Sequence, residues 1–502
     1  MTRIKLIFTL FILGLCAPWA DSSAIAACTG GSPTWSSTPD RASVASCVSS
    51  ARDGDTINVS AGSAAWSTPI VISNKRLTIV GAGSGSTVIS TRAFDLDHSG
   101  ARISGFTFNL TAYVQIYGGS QNFRWDHNNF NGNGGEFTCV LSYGAGSGLH
   151  NAGLFDNNRF AGCQLESMGG DYGNSQNANV RWAEPNPIGT ANAIYYEDND
   201  FYIASPQAIN YFNCFDAYQG GAYVVRFNTL RGCRFEAHGL QSFEDRGTRA
   251  YEIYNNTLTN TSTQNYRPWF MRGGSGMIFH NTSDGNFITN NIFIDNNRTG
   301  QNSIAGQVGA WGLCDGLSRV DQNVSGGEGY ACLDQIGMIR DTSLWNYSTP
   351  RNIAQERFPL YVWKNTQNNN EIPVVLQCPE CTAAQGTRQA SKHVVLNRDY
   401  FTYSAGFNGT IGVGEGTLAN RPSTCTTGVA YWATDQGEWN SRNAGPDGQL
   451  YKCVSPNTWA VGYIPLPYPH PLQNGASGGS GGGGGGVSGP TPSAPANLRI
   501  TQ

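Results

Sequence analysis

Behind the turn Asp53-Gly54-Asp55, the residues Thr56-Ile57-Asn58-Val59 alternate polar and apolar, as a half-buried strand does. Pro69-Ile70-Val71-Ile72 and Leu77-Thr78-Ile79-Val80-Gly81 repeat the pattern shortly downstream. Short strands at close intervals, with Gly or Asn between them, predict the stacked coils of a β-solenoid.

A longer repeat follows. An Asn, a variable residue and an apolar residue recur in Asn128-Asn129-Phe130, Asn158-Arg159-Phe160, Asn199-Asp200-Phe201, Asn228-Thr229-Leu230, Asn256-Thr257-Leu258 and Asn291-Ile292-Phe293. The intervals between these Asn residues are 30, 41, 29, 28 and 35. One β-helix coil takes roughly 20 residues or a little more, so each interval reads as a coil plus a variable loop. Asn281, in Phe279-His280-Asn281-Thr282, competes with Asn291 for the last place, because the two stand too close for a full coil. Ile103-Ser104-Gly105-Phe106-Thr107-Phe108 fits the frame without the Asn. A coil cannot bury its own apolar face, so Phe or Leu is expected to form an internal column. The Asn is expected at a turn, tolerating left-handed backbone angles and bonding the Asn above and below.

Composition agrees. Gly reaches 63 residues and charged residues only 13%, which suits a turn-rich all-β chain, since Gly and Asn disfavour helix interiors. Lys and Arg number 31 against 35 Asp and Glu, a net charge of -4 with no basic face for nucleic acid.

The first 26 residues read as a secretory signal: Arg3 and Lys5, an apolar run from Leu6 to Leu15, then Ala24-Ile25-Ala26 for cleavage. The run is too short to span a bilayer, and no other run predicts a transmembrane helix. Ile25-Ala26-Ala27-Cys28 also resembles a lipobox, which would attach the protein to a cell surface. Of thirteen Cys, twelve follow Cys16, as near neighbours: Cys28/Cys47, Cys139/Cys163, Cys214/Cys233, Cys314/Cys332, Cys378/Cys381 and Cys425/Cys453. In an exported chain they predict local disulfides; zinc at Cys378-Pro-Glu-Cys381 is the alternative.

Residues 27–420 are therefore expected to form the β-helix. Residues 421–472 read as a small aromatic β module stapled by Cys425 and Cys453, with strands around Tyr431-Trp432-Ala433 and Leu450-Tyr451-Lys452. Its Trp432, Trp439, Tyr451 and Trp459 are expected to pack as a core rather than to present a sugar-binding surface. Residues 473–502 read as a Gly/Ser-rich linker and short tail. A secreted monomer is expected.

Gly54-Asp55-Thr56-Ile57, Leu77 to Gly83 and Ile103 to Phe108, with the Asn repeats, span roughly residues 45–300 and resemble the pectin-lyase-like β-helix superfamily. The resemblance implies a right-handed parallel β-helix. It leaves the activity open, because the fold hosts lyases, hydrolases, esterases and non-catalytic adhesins. Phe123-Arg124-Trp125-Asp126-His127 resembles the Trp-x-Asp-His strand of pectate lyases but lacks the residue between Trp and Asp. That sends Asp126 to the opposite face, so no calcium role is carried over to it.

Candidate chemistry concentrates in residues 214–281. Phe215-Asp216-Ala217-Tyr218 precedes Asn228, Phe243-Glu244-Asp245-Arg246 precedes Asn256, and Phe270-Met271-Arg272 precedes Asn281, at Phe-to-Asn distances of 13, 13 and 11 residues. Equal register would set Asp216 beside Glu244 and Arg246 near Arg272. In Arg234-Phe235-Glu236-Ala237-His238 the polar residues share one strand face, pointing out of the core. Such a cluster could be a surface ion network or a groove for an acidic polysaccharide, since Arg matches carboxylates bidentately. In the second reading Arg246 or Arg272 neutralises a uronate or takes a proton. His238 is base or acid, and Glu236 orients it. Arg234, Arg249, Arg267 and Trp269 bind the chain, and Asp216 with Glu244 holds Ca²⁺. The expected function is polysaccharide lyase, with a glycoside hydrolase or a glycan-binding adhesion protein as alternatives.

Overall fold

The computed structural model of the chain describes residues 28–132, 137–144, 150–169, 175–203, 213–239, 246–260, 268–285, 287, 291–294, 333–344, 355–377, 391 and 394–474. Residues 1–26, read as a signal, and 475–502, from the expected linker and tail, lie outside them, as do Cys314, Cys332, Cys378 and Cys381. The described residues form the expected parallel β-solenoid. Among them three sheets of thirteen, eleven and ten strands run along its length, almost wholly parallel. Each coil gives one strand to each sheet in turn. Gln121–Asp126 enters the thirteen-stranded sheet, Asn129–Asn131 the eleven-stranded one and Thr138–Ser142 the ten-stranded one. Ala152–Asp156 then pairs with Gln121–Asp126 and opens the next coil.

The apolar positions of the repeat do form a column. Phe108, Phe130, Phe160 and Phe201 follow one another with ring centroids 5.4, 4.8 and 4.7 Å apart, and Leu230 and Leu258 continue the line, buried. On the ten-stranded wall Phe215, Phe235 and Trp269 stack at 5.5 and 4.9 Å.

The Asn ladder runs through Asn128, Asn158, Asn199, Asn228, Asn256, Asn281 and Asn365. From Asn158 onward each side-chain oxygen accepts the backbone N–H of the Asn one coil earlier, while that of Asn128 accepts the Phe106 N–H, and each amide donates to a backbone carbonyl of the preceding coil, as Asn228 does to Tyr196. Two expectations change. Asn281, not Asn291, holds the ladder; Asn291 precedes Ile292–Ile294, a strand of the ten-stranded sheet. The left-handed backbone belongs to the residue before the ladder Asn: His127, Asn157, Asp198, Phe227, Asn255, His280 and Lys364 all have φ between 52° and 59°. The turn thus splits its work, since the amide needs a side chain aimed inward while the left-handed residue need only tolerate the angle. Asn228→Ala orphans the buried Asn199 N–H and the Tyr196 carbonyl, at about 1–3 kcal/mol for each. A lowered urea midpoint at unchanged m-value is the expected result.

A helix, Arg41–Ser50, covers the first coils. Asp40 caps it by accepting the Ser43 N–H, Val44, Cys47 and Val48 are buried, and Cys47 is bridged to Cys28. Cys139–Cys163 and Cys214–Cys233 link adjacent coils at Cα separations of 5.2 Å.

The C-terminal sheet contains Val413–Gly416, Ala430–Ala433, Gln449–Ser455 and Thr458–Tyr463, and Cys425 is bridged to Cys453 as expected. Its aromatic core is shared with the solenoid. Trp432 lies 5.1 Å from Phe279 and 5.3 Å from Trp363, and Trp439 meets Tyr254 at 5.7 Å, all on the outer face of the thirteen-stranded sheet. Tyr451 and Trp459 instead flank the Arg421 guanidinium. Beyond this sheet the chain straps along the same face. Arg226 donates to the Leu466 and Pro467 carbonyls, Arg124 to those of Leu472 and Gln473, and Glu197 accepts the His470 N–H. Among the described residues no helix is long and apolar enough to cross a membrane.

The strap carries a pH dependence. Burial, then the charges of Arg226 and Arg124, depress the His470 imidazole from 6.5 to about 3. An unfolded chain takes up that proton near pH 6.5, so below it the unfolded state binds more protons and stability falls as pH falls. The contribution is fully present above pH 6.5 and lost progressively towards pH 3, at about 1.4 kcal/mol per unit. Urea denaturation at pH 7 and pH 5 should differ by roughly 2 kcal/mol from this group, and His470→Gln should remove that part.

Candidate functional site

The polar cluster sits on the outward face of the ten-stranded sheet, and strand alternation puts it there. In Arg234–Ala237, Phe235 and Ala237 enter the core, so Arg234 and Glu236 face outward, with His238 next in line. Asn213–Tyr218 pairs beneath with Phe215 opposite Phe235, which sets Asp216 beside Glu236 and Tyr218 beside His238. One coil earlier Glu166 is the partner of Asp216. One coil later Ala237 pairs with Met271, which brings Arg272 beside His238.

The side chains interlock. Glu236 accepts Arg234 on one oxygen and Arg272 on the other. The His238 Nδ1 lies 3.2 Å from Asp216 Oδ2 and 2.6 Å from an Arg272 terminal nitrogen. That contact requires a ring nitrogen with its lone pair available. Arg234 and Arg272 both lie over the Phe270 ring, at 5.3 and 5.2 Å. Glu166 accepts Thr138 Oγ1 at 2.5 Å, Gln164 Nε2 at 3.0 Å and the Tyr218 hydroxyl at 3.0 Å. Side-chain exposure is 3% for Glu236, 7% for Asp216 and 9% for Arg272, against 20% for His238, so the imidazole is the group most open to a ligand.

These environments push the carboxyls in opposite directions. Burial raises Asp216, and the charge of Glu236 adds to it against His238 and Arg272. Burial likewise raises Glu166, with Asp216 adding to it against the Thr138 and Tyr218 hydrogen bonds. Burial also acts on Glu236, but Arg272, Arg234 and His238 outweigh it and hold that carboxyl below its ordinary value. One donor is left over: Arg272 Nε is buried and has no hydrogen-bond partner among the described residues.

Five of the expected site residues come together: Glu236, His238, Arg272, Asp216 and Arg234, which holds Glu236 and donates to Asn213 Oδ1 at 2.6 Å. Others do not. Arg246 is not near Arg272. It is fully buried between Asp334 and Asp341, each 2.6 Å away, with its guanidinium 4.7 Å over Trp182. Arg249 is buried too and donates to the carbonyls of Arg181, Glu184 and Pro185, closing the end of helix Ser175–Ala183, and to that of Ile339. Trp269 points into the solenoid and stacks on Phe235, so it presents no ring to a ligand; its neighbour Phe270 faces outward instead. Glu244 and Arg267 lie outside the described residues, and the strand partner of Asp216 is Glu236 rather than Glu244. Asp126 is bound by Arg102 at 2.7 Å, with Arg124 at 3.5 Å, a structural ion network. Glu166 and Tyr218 were missed. The sequence did hold a signal for Glu166, which follows Cys163 by three residues as Glu236 follows Cys233.

Asp216, Glu236 and His238 present ligand atoms within 4.8 Å of one another. The expected Ca²⁺ pair was Asp216 with Glu244, which lies outside the described residues; these three by themselves do not make the set of oxygen ligands that Ca²⁺ takes. One donor is an imidazole, and both Glu236 oxygens already accept guanidinium groups. The chain matches no protein family model, and no curated protein matches it.

Proposed function

We propose that this is a secreted, carbohydrate-active protein of the pectin-lyase-like type, a polysaccharide lyase that cleaves a uronate-containing polymer by β-elimination. The observation that carries the reading is Arg272: a buried guanidinium whose Nε–H has no partner among the described residues, beside an imidazole, on the outward side of the ten-stranded sheet. A uronate carboxylate is the ligand that such a donor recognises. The four disulfides among the described residues agree with an oxidising compartment.

In this mechanism Arg272 binds the uronate carboxylate and so acidifies the adjacent C5–H. Binding draws the guanidinium from His238, whose freed ring nitrogen takes the C5 proton. The C5–H electron pair becomes the C4–C5 double bond, the C4–O4 bond breaks, and the leaving oxygen takes up a proton. Asp216 stabilises the imidazolium as it forms, and Glu236, gripped by Arg234, holds Arg272 in place. Incubation with pectate, alginate and related uronate polymers tests the proposal. Unsaturated oligosaccharides from at least one are expected; none from any of them sinks it.

The opposed shifts of Asp216 and Glu236 favour one second reading, a glycoside hydrolase using that pair. It fits less well, because a carboxylate held by two guanidinium groups is a poor nucleophile or base. New reducing ends without unsaturated product would choose it.

A further inference from the structure

We infer that Tyr218, hydrogen-bonded to Glu166, is the acid that protonates the leaving oxygen of the polymer. The inference rests on the lyase reading and supplies the group that reading leaves unnamed.

The order of side chains along the sheet carries it. Tyr218, His238 and Arg272 occupy equivalent outward positions on three successive strands, since Phe215 is opposite Phe235 and Ala237 opposite Met271. Neighbouring strands are about 4.8 Å apart, so the three side chains form one short row. In a 4-linked uronate the reacting groups follow in the same sense: the carboxylate on C5, the proton on C5, the leaving oxygen on C4. With the carboxylate on Arg272 and the proton facing His238, the leaving oxygen falls on the side of Tyr218. Among the described residues no other side chain in that row lies there with a proton to give.

The local contacts suit the role. The Tyr218 ring is 5.5 Å from the His238 ring and tilted against it, so the phenol and the imidazole border one space. The phenol hydroxyl donates to Glu166 Oε2 at 3.0 Å, while Glu166 Oε1 is occupied by Thr138 and Gln164. Glu166 therefore holds the phenol oxygen in place. The electron count closes: as C4–O4 breaks, the oxygen keeps the bonding pair and takes the phenol proton, the hydroxyl turning from Glu166 to reach it, and solvent reprotonates the phenolate. Glu166 acts through Tyr218 and is a positioning residue.

The consequence is a dependence on the leaving group. Tyr218→Phe should lower kcat by about a hundred-fold or more on a natural uronate polymer, as loss of a general acid does. On a uronate bearing fluoride or a nitrophenoxy group at C4, which departs without a proton, the same variant should keep most of its activity. Glu166→Gln should move the alkaline limb of the kcat/KM profile on the polymer and leave that limb in place on the activated substrate. Equal losses on both substrates, or no loss on the polymer, would overturn the inference. Each ratio is read within one protein preparation, so partial misfolding does not mimic it. Absence of any turnover by the parent protein would remove the lyase reading itself, and this inference with it.

Discussion

Arg246→Ala should cost about 3–5 kcal/mol of stability, the largest effect expected from any single charge in the molecule. Its guanidinium is fully buried, bonded to Asp334 at 2.6 and 3.1 Å, to Asp341 at 2.6 and 3.0 Å and to Asn179 at 3.1 Å. Removing it leaves two carboxylates facing each other away from water, with Gln355 as a remaining donor. Arg246→Lys should also destabilise, because one ammonium cannot bridge two carboxylate forks. Chemical denaturation measures the loss. A variant with the parent's midpoint but no turnover would mean that Arg246 belongs to the chemistry after all.

Arg272→Ala should behave in the opposite way. Glu236 keeps Arg234, so no carboxylate is stranded, and the denaturation midpoint should move little. Turnover of a uronate polymer should fall by about 10²–10³-fold, the usual loss when one donor to a developing anion is removed. Arg272→Lys should recover little, since a point charge lacks the planar fork that meets a carboxylate. Steady-state kinetics beside a melting curve separates the two arginines, one in the fold and one in the site.

The sequence treated those arginines as equals, and the reason is physical. Equal spacing from Phe to ladder Asn places Phe243 over Phe215 and Arg246 over Tyr218. In a solenoid, however, loops between strands vary freely in length, so spacing to a turn does not fix the register of a strand. The disulfides come within one residue of it. Cys214 and Cys233 sit on adjacent coils, and a bulge between Asn213 and Phe215 sets Asp216, two past its Cys, beside Glu236, three past its own, and Tyr218 beside His238. Counting from Cys163 would have added Glu166.

The solenoid itself was legible because its signal repeats: one Asn and one Phe or Leu per coil, many times over. Asn281 and Asn291 could not be told apart from spacing alone, since both open a strand and only the fold shows which sheet receives it. The helix Arg41–Ser50 was not legible, because its buried Ser43, Val44, Cys47 and Val48 make only a weak apolar stripe. The aromatics of the C-terminal sheet were read as a core, but their main partners, Phe279, Trp363 and Tyr254, come from coils far upstream and leave no local trace. Trp269 was misplaced for a simpler reason: it sits at a strand start, where one residue decides between the inside and the outside of the sheet.

The most direct test is to digest a uronate polymer in water labelled at oxygen and analyse the products by mass spectrometry. β-Elimination predicts an unsaturated uronate at one new end and no label fixed in the other before ring-opening exchange sets in. One labelled oxygen per cleavage from the first time point, with no unsaturated residue, would show hydrolysis and contradict the account.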